Sequence, residues 1–369
     1  MKLYDTASQA VVDLELESPV RIYCCGITPY DAAHLGHAAV YVTFDVLVRR
    51  LRDAGFQTKC VRNVTDVDDD ILRRSRELRV HYLDLAAEEM ARFDKDMTAL
   101  GLLAPDSEPR ATSAIPKILD VIDVLYKSGY AYESGGSVYF DISKSQRFGS
   151  LGKLDREEMI ELARERGGHP EDLAKRDPLD FVLWQPSSGG EPSWDSRFGP
   201  GRPGWHVECT ALAIRELGGV DIHGGGKDLI FPHHEAEAAQ GEAYTGTTFC
   251  SYWVHTGLVG LGGTKMSKSL GNLVFVHDLL ENWSAQVIRL AVMSHHYRED
   301  WDWTDDLLKA AAERFERWSR AGKGDRGLDA VRGCLDDDLD IPTAIAEIDA
   351  AASSGGVSAA AALLGVSLA

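Results

Sequence analysis

The stretch from Val20 to Val64 does most to limit what this chain can fold into. Val20–Cys25 (VRIYCC), apolar apart from Arg21, reads as a buried strand. Gly26-Ile-Thr-Pro-Tyr-Asp follows as a turn, and a helix is expected from about His37. Val40, Phe44, Leu47, Val48 and Leu51 recur on one face of that helix, and Gly55 ends it. Lys59–Val64 (KCVRNV) reads as a second strand, with Thr65 and Asp66 at its carboxyl end. Strand, helix and strand within this span form a βαβ unit, the seed of a parallel sheet with helices against it.

Beyond this seed the pattern changes. Residues 70–127 are mostly helical in pattern, and Gly136–Ile142 (GSVYFDI) is β-like. Residues 164–204 are rich in Gly, Pro and charge and read as an irregular insertion carrying Trp184 and Trp194. The α/β pattern then resumes with a helix over Val207–Leu217 and a short strand over Val220–His223, which runs into Gly224-Gly225-Gly226. A helix over His233–Tyr244 opens after Pro232, and a strand follows over Tyr252–Leu258. From His277 the chain reads as helical, with an acidic run at Asp336, Asp337, Asp338 and Asp340 and an Ala/Gly/Ser-rich tail of near low complexity. The expected organisation is therefore a catalytic α/β domain in two halves, 1–95 and 205–275. A mostly helical connective insertion with an irregular part, 96–204, separates them, and a helical region, 276–369, follows.

Charge bears on partners. The net charge is −19, whereas a surface that grips a phosphate backbone carries an excess of Lys and Arg. A large nucleic-acid surface is not expected. No apolar run has the length of a membrane span. The polar, acidic start lacks the basic and apolar regions of a secretory signal, so the expected location is the cytoplasm. Cys24, Cys25, Cys60, Cys209, Cys250 and Cys334 are scattered rather than spaced as a disulfide framework.

Three groups of residues carry chemistry. His34-Leu35-Gly36-His37 sits between strand and helix, where free N–H groups and positive partial charge suit phosphate. A glycine between two histidines allows close approach, although such a tetrapeptide alone is compatible with ordinary turn histidines. Lys265-Met266-Ser267-Lys268-Ser269 lies in a loop after a strand. Its two lysines can neutralise charge on a departing pyrophosphate. Last, Cys25, Cys209 in Trp205-His-Val-Glu-Cys209, and His233 with Glu237 four residues on, offer two thiolates, an imidazole and a carboxylate. His234 and Glu235 are near alternatives. This donor set suits tetrahedral zinc, but the spacing alone is also that of buried structural cysteines and ordinary histidines.

The first two groups together resemble the HIGH and KMSKS elements of class I aminoacyl-tRNA synthetases. Further strings are similar to cysteinyl-tRNA synthetases and to their paralogues, the mycothiol ligases, which join cysteine to glucosaminyl-inositol. These are Tyr23-Cys-Cys25-Gly-Ile-Thr-Pro-Tyr-Asp, Arg62-Asn-Val-Thr-Asp, Gly201-Arg-Pro-Gly-Trp-His-Val-Glu-Cys209, Asp221-Ile-His-Gly-Gly-Gly and Phe231-Pro-His-His-Glu. The resemblance covers nearly the whole chain. It implies a Rossmann-like class I synthetase fold and one zinc ion held by Cys25, Cys209 and His233, with Glu237 or the substrate in the fourth position. It implies ATP with Mg2+ as substrate, His34, His37, Lys265 and Lys268 as catalytic residues, and formation of cysteinyl-adenylate. Cys25, Gly26, Ile27, Thr28, Asn63, Val64, Thr65, Trp205, Gly226, Lys227, Asp228 and Val259 would contact that intermediate. Core packing is the alternative for Trp205. Asp66 and His206 are candidate general bases.

Between the two relatives, Thr28-Pro29-Tyr30, His34-Leu-Gly-His-Ala38-Ala39 and Glu165-Arg-Gly-Gly-His169-Pro170 resemble the ligases, and the chain stops at Ala369 before an anticodon-binding region. Three positions depart from the ligase pattern: Glu237, Val40 where Thr is usual, and His169 where Asp is usual. The expected partners are small molecules, namely ATP, L-cysteine and glucosaminyl-inositol, acted on by a monomer or homodimer. A truncated cysteinyl-tRNA synthetase and a cysteine ligase for another small amine are the alternatives.

Overall fold

The structure is a computed structural model and describes residues 1–266 and 270–368. The chain opens with an antiparallel hairpin, β1 (Lys2–Asp5) and β2 (Ala10–Asp13). The expected βαβ unit follows as β3 (Val20–Ile27), α1 (Leu35–Asp53) and β4 (Thr58–Val64). Helices α2 (Asp69–Leu78), α3 (Tyr82–Ala99) and α4 (Ile115–Lys127) lead to β5 (Ala131–Ser134) and β6 (Ser137–Phe140). Next come α5 (Arg156–Glu165), β7 (Phe181–Gln185), β8 (Arg202–Pro203), α6 (Trp205–Leu217), β9 (Val220–Gly226), α7 (Glu235–Thr245) and β10 (Cys250–Thr256).

The central sheet has the order β10-β9-β3-β4, and every neighbouring pair is parallel. The chain leaves β3 toward β4 on one side and later returns to build β9 and β10 on the other. The strand order therefore reverses beside β3, and in open parallel sheets the ligand crevice lies at the carboxyl ends of the strands at such a point. Cores form on both faces. Val20, Ile22 and Cys24 of β3 pack with α1 and the C-terminal helices, whereas Tyr23 and Cys25 pack with α4 and α6. This is the period-two alternation of a strand. It explains why Cys25, and not Cys24, faces the cluster described below.

The stretch read as irregular, residues 164–204, supplies two strands. β7 and β8 join β5 and β6 in an antiparallel sheet of order β5-β6-β7-β8. Trp184, only 1% exposed, anchors it in the core. Its Phe-Val-Leu-Trp run is short and flanked by charge and Gly, which hid the strand. β9 runs on through all three glycines instead of ending at His223. A Cβ on Gly224 would lie 2.0 Å from the Phe44 ring, so α1 packs onto bare backbone there. The helix expected from His233 begins at Glu235, because residues 230–234 form a wider turn in which Phe231 has extended backbone (φ −133°, ψ 135°).

After β10 comes a small sheet of β11 (Val259–Leu261), β12 (Thr264–Lys265) and β13 (Trp301–Asp302), with β11 in the middle. Helices α8 (Val276–Leu280) and α9 (Ala285–Val292) precede β13. Helices α10 (Asp305–Ala321), α11 (Leu328–Asp336), α12 (Ile341–Ala351) and α13 (Ser358–Leu363) follow it. The tail that reads as low complexity is packed: Ile348, Ala360, Ala361, Leu364 and Val366 are all 0% exposed. Small side chains here allow close helix contact. The fully buried Arg289 of α9 donates to the carbonyls of Leu364 (2.8 Å) and Leu100 (3.1 Å) and to the Asp45 carboxylate of α1.

Removing one partner of a buried ion pair costs about 3 kcal/mol or more. Arg289→Met should therefore lower the unfolding free energy by about that amount in a denaturant titration. A loss below about 1 kcal/mol would mean that Arg289 does not pin the tail to α1.

Candidate metal and nucleotide site

The carboxyl end of β3 brings Cys25 to the face that carries α6 and α7. Cys209 projects from α6, His233 from the turn before α7, and Glu237 from the first turn of α7. Their donor atoms all lie within 4.8 Å of one another, and all four residues are buried. Cys25 Sγ is 3.6 Å from Glu237 Oε1, and His233 Nε2 is 3.1 Å from the same oxygen. Two thiols, an imidazole and a carboxylate at these separations need only a small contraction to reach tetrahedral zinc distances of about 2.0–2.3 Å. The residues present fit that ion.

Electrostatics favour a cation here. Burial pushes the Cys25 thiol up, whereas the hydrogen bond from Cys25 brings Cys209 down toward the thiolate. Burial would raise Glu237, but His223 and His233 outweigh it and hold the carboxyl at about 2. Burial also works against a charged His233, yet Glu237 and Cys209 lift it to about 10. Thiolate and carboxylate thus stand beside the His233 imidazolium, where a metal ion can take the proton's place.

The sequence reading missed an array of histidines behind this cluster. His223 Nε2 lies 3.1 Å from Glu237 Oε2. A chain then runs from Thr6 Oγ1 to His255 Nδ1 (2.7 Å), from His255 Nε2 to His234 Nδ1 (2.7 Å), and from His234 Nε2 to Cys25 Sγ (3.3 Å). Burial keeps His234 and His255 uncharged, His255 at about 3. Cys25, His223, His234 and Glu237 form a second possible donor set. The adjacency of His233 and His234 is the one sequence signal that pointed this way. Thr6 and His255 lie far from the motif strings and gave none.

The second half of the site is the N-terminus of α1. His34 is its N-cap and accepts from Gly36 N (3.1 Å), while His37 Nδ1 accepts from His34 N (3.3 Å). The two rings lie 3.9 Å apart between centroids, and both are partly open. A Cβ on Gly36 would come within 2.9 Å of the His34 ring, so the glycine sets the ring's position. Backbone pairing of Leu35 N with Val274 O (2.9 Å) and of Val276 N with Ala33 O (3.2 Å) draws the segment after residues 265–269 against this helix start.

Around the crevice, Gly26 N donates to Asn63 Oδ1 (2.8 Å), and a Cβ on Gly26 would lie 1.5 Å from the Asn63 carbonyl oxygen. Asn63 Nδ2 donates to Thr65 Oγ1 (3.1 Å), and Thr65 N to Ile27 O (3.0 Å). Asn63, Val64 and Thr65 are buried and shape the backbone. Thr28 is half-buried. Trp205 is also half-buried and stacks on the His233 ring at 4.1 Å, so it is not a core tryptophan. Gly226 lies beside Val40, and Asp228 accepts from Lys265 Nζ (2.9 Å). Lys227 turns its ammonium to Asp300. Val259 is buried, and its carbonyl accepts from Met266 N (3.2 Å). Lys268 lies outside the described residues. Of the two candidate bases, Asp66 is taken up by Thr112 N (2.9 Å) and Thr112 Oγ1 (2.6 Å), and His206 Nδ1 lies 2.9 Å from His233 Nδ1.

Residues 12–313 match the family described as tRNA synthetases class I (C) catalytic domain. The chain is 48% identical, over 94% of its length and 88% of the relative's, to the L-cysteine:1D-myo-inositol 2-amino-2-deoxy-alpha-D-glucopyranoside ligase of Acidothermus cellulolyticus. It is 46% identical to the protein of the same name from Thermobispora bispora, over 100% of this chain and 96% of that one. In fold it is similar to Mycobacterium tuberculosis methionyl-tRNA synthetase in complex with methionyl-adenylate. The TM-score is 0.69 at 16% identity, with 95% of this chain and 88% of that one covered. The chain therefore belongs to the class I (C) tRNA synthetase catalytic-domain family and, within it, to the L-cysteine:1D-myo-inositol 2-amino-2-deoxy-alpha-D-glucopyranoside ligases.

Proposed function

We propose that this protein is a zinc-dependent ligase that activates L-cysteine with ATP and transfers it to the amine of glucosaminyl-inositol, releasing AMP and pyrophosphate, as in mycothiol biosynthesis. One observation carries the reading: a thiol-rich donor cluster lies at the carboxyl end of β3, beside the helix start that bears His34 and His37, in a chain 48% identical to a curated ligase of that name.

In the first step a carboxylate oxygen of cysteine attacks the α-phosphorus of ATP, and the bond to pyrophosphate breaks. The N-terminus of α1, with His34 and His37, holds the phosphates, which Mg2+ also binds. Lys265 and Lys268 offset charge on the departing pyrophosphate. Lys265 is held by Asp228 in this structure and must leave it to reach the nucleotide. Cys25, Cys209 and His233 would hold zinc, with Glu237 or the substrate sulfur as fourth donor. The bound ion would supply an affinity for thiolate that a hydroxyl lacks, which separates cysteine from serine without an editing site. Gly26 to Thr28, Asn63 to Thr65, Trp205, Gly226 to Asp228 and Val259 surround the adenylate. In the second step the amine attacks the carbonyl carbon of the adenylate, an amide forms and AMP leaves.

We read residues 1–95 and 205–275 as the two halves of the catalytic domain, 96–204 as the connective insertion and 276–369 as a helical region. Among the described residues no helix is long and apolar enough to cross a membrane. The cytoplasm, where the cysteines stay reduced, suits a thiol-bearing site, and a monomer or homodimer suffices for small substrates.

The deciding experiment offers the protein ATP and cysteine with either glucosaminyl-inositol or tRNA. The amide product with the sugar is expected, and acylation of tRNA alone would overturn the choice of acceptor. Cys209→Ser should remove bound zinc, measured by elemental analysis, and lower cysteine-dependent ATP–pyrophosphate exchange more than about 100-fold. Exchange at the normal rate would reject the metal's role. Lys265→Ala should slow exchange about 100-fold while leaving the dissociation constant of cysteine within a factor of two, and equal loss in both would reject a transition-state role.

A further inference from the structure

Of the four donors Cys25, Cys209, His233 and Glu237, Cys25 alone comes from the central sheet, and its strand is irregular where it sits. Across the ladder with β4, Cys24 faces Arg62 and Ile27 faces Val64, so Cys25 and Gly26 together stand opposite Asn63. On the other side, pairing with β9 stops at Cys24 and Gly224. Two residues against one is a β-bulge, which re-aims side chains beside functional sites. The effect is visible in the cores. Plain alternation would put Ile27 on the face of Tyr23 and Cys25, yet it packs with Val20, Ile22 and Cys24.

A bulge takes backbone groups out of the ladder, and buried ones then need partners from elsewhere. Gly26 N donates to the Asn63 side chain (2.8 Å). The Cys25 carbonyl accepts from Tyr41 Oη (3.1 Å), with the Cys24 thiol as a weak second donor (3.8 Å). Tyr41 belongs to α1, one turn beyond His37, and is 6% exposed. Its ring is held independently of the hydroxyl. It meets Phe93 edge-on at 5.4 Å, and the Arg62 guanidinium lies over it at 5.2 Å. Arg62 is itself bound to Glu108 (2.7 Å). A fixed ring on the phosphate-binding helix thus delivers a hydroxyl to the backbone of a metal donor.

We propose that Tyr41 is a positioning residue. Its hydroxyl locks the bulge so that the Cys25 sulfur faces the metal pocket, and it fixes the spacing between that pocket and the helix start bearing His34 and His37. The inference rests on the ligase reading, in which this spacing sets where the cysteine carboxylate lies relative to the α-phosphorus of ATP.

The test is Tyr41→Phe in the full-length protein, which keeps the ring and removes only the hydroxyl. Competition with a chromophoric chelator should show the zinc dissociation constant raised about tenfold, the effect expected when a group that orients a metal ligand is lost. In ATP–pyrophosphate exchange at saturating zinc, KM for cysteine should rise about fivefold or more while KM for ATP stays within about a factor of two. Thr43→Val is the control. It removes another buried hydroxyl of α1, which donates to Ala39 O (2.8 Å), and should leave all three values unchanged. An unchanged zinc dissociation constant in folded Tyr41→Phe would overturn the proposal. So would an equal rise in KM for ATP, or the same changes in Thr43→Val, because either marks a general loosening of α1. Failure of the ligase reading looks different: the unmutated protein would then bind no zinc or show no cysteine-dependent exchange.

Discussion

The parallel pairing of β3 with two strands at once, β4 on one side and β9 on the other, is the constraint on which the rest depends. It puts the carboxyl end of β3 where the strand order reverses and the sheet parts into a crevice. It also divides two adjacent cysteines. Alternation sends Cys24 into the core shared with α1 and the C-terminal helices and Cys25 toward α6 and α7. Only the second of these faces carries the other donors. A slip of one residue in the register would exchange the two thiols and dissolve the cluster.

Once Cys25 is placed, burial governs the chemistry. Low-dielectric surroundings keep His234 and His255 neutral, so they pass a hydrogen-bond chain from Thr6 to the Cys25 sulfur without adding charge. The same burial makes the charged groups that remain depend on one another. Glu237 stays ionised only because His223 and His233 face it, and His233 stays charged because Glu237 and Cys209 do. Partners that orient donor side chains are a common part of metal sites. Here they come from the N-terminal segment, β9 and β10, elements distant in sequence.

The nucleotide side is assembled by contacts between loops. The segment at 274–276 pairs with 33–35, at the start of the helix that bears His37. Lys265 reaches Asp228, next to the end of β9. Arg166, at the end of α5 in the insertion, donates to the carbonyls of Asp228 (2.5 Å) and Phe231. One guanidinium thereby ties the insertion to the loop beside the nucleotide crevice and to the turn that presents His233. The Glu-Arg-Gly-Gly string, which in sequence resembles a family element without a stated role, has a positioning role in the fold.

Much of this was legible in sequence because the determinants are local. An apolar run, a Gly-bearing turn and a helical face within Val20–Val64 define a βαβ unit whatever surrounds it. The motif strings name His34, His37, Lys265, Cys25, Cys209, His233 and Glu237 directly. The strands β7 and β8 were not legible, because each is short: β7 finds its first partner, β6, more than 40 residues upstream, and β8 pairs only with β7. Nor was the packed tail, whose alanines and glycines look like low complexity until Arg289 and Asp45 are brought against them. The histidine chain was decided by tertiary structure alone. It consists of polar groups whose meaning is set by burial and by neighbours more than 200 residues away, and neither burial nor long-range proximity is written in a residue's own neighbourhood.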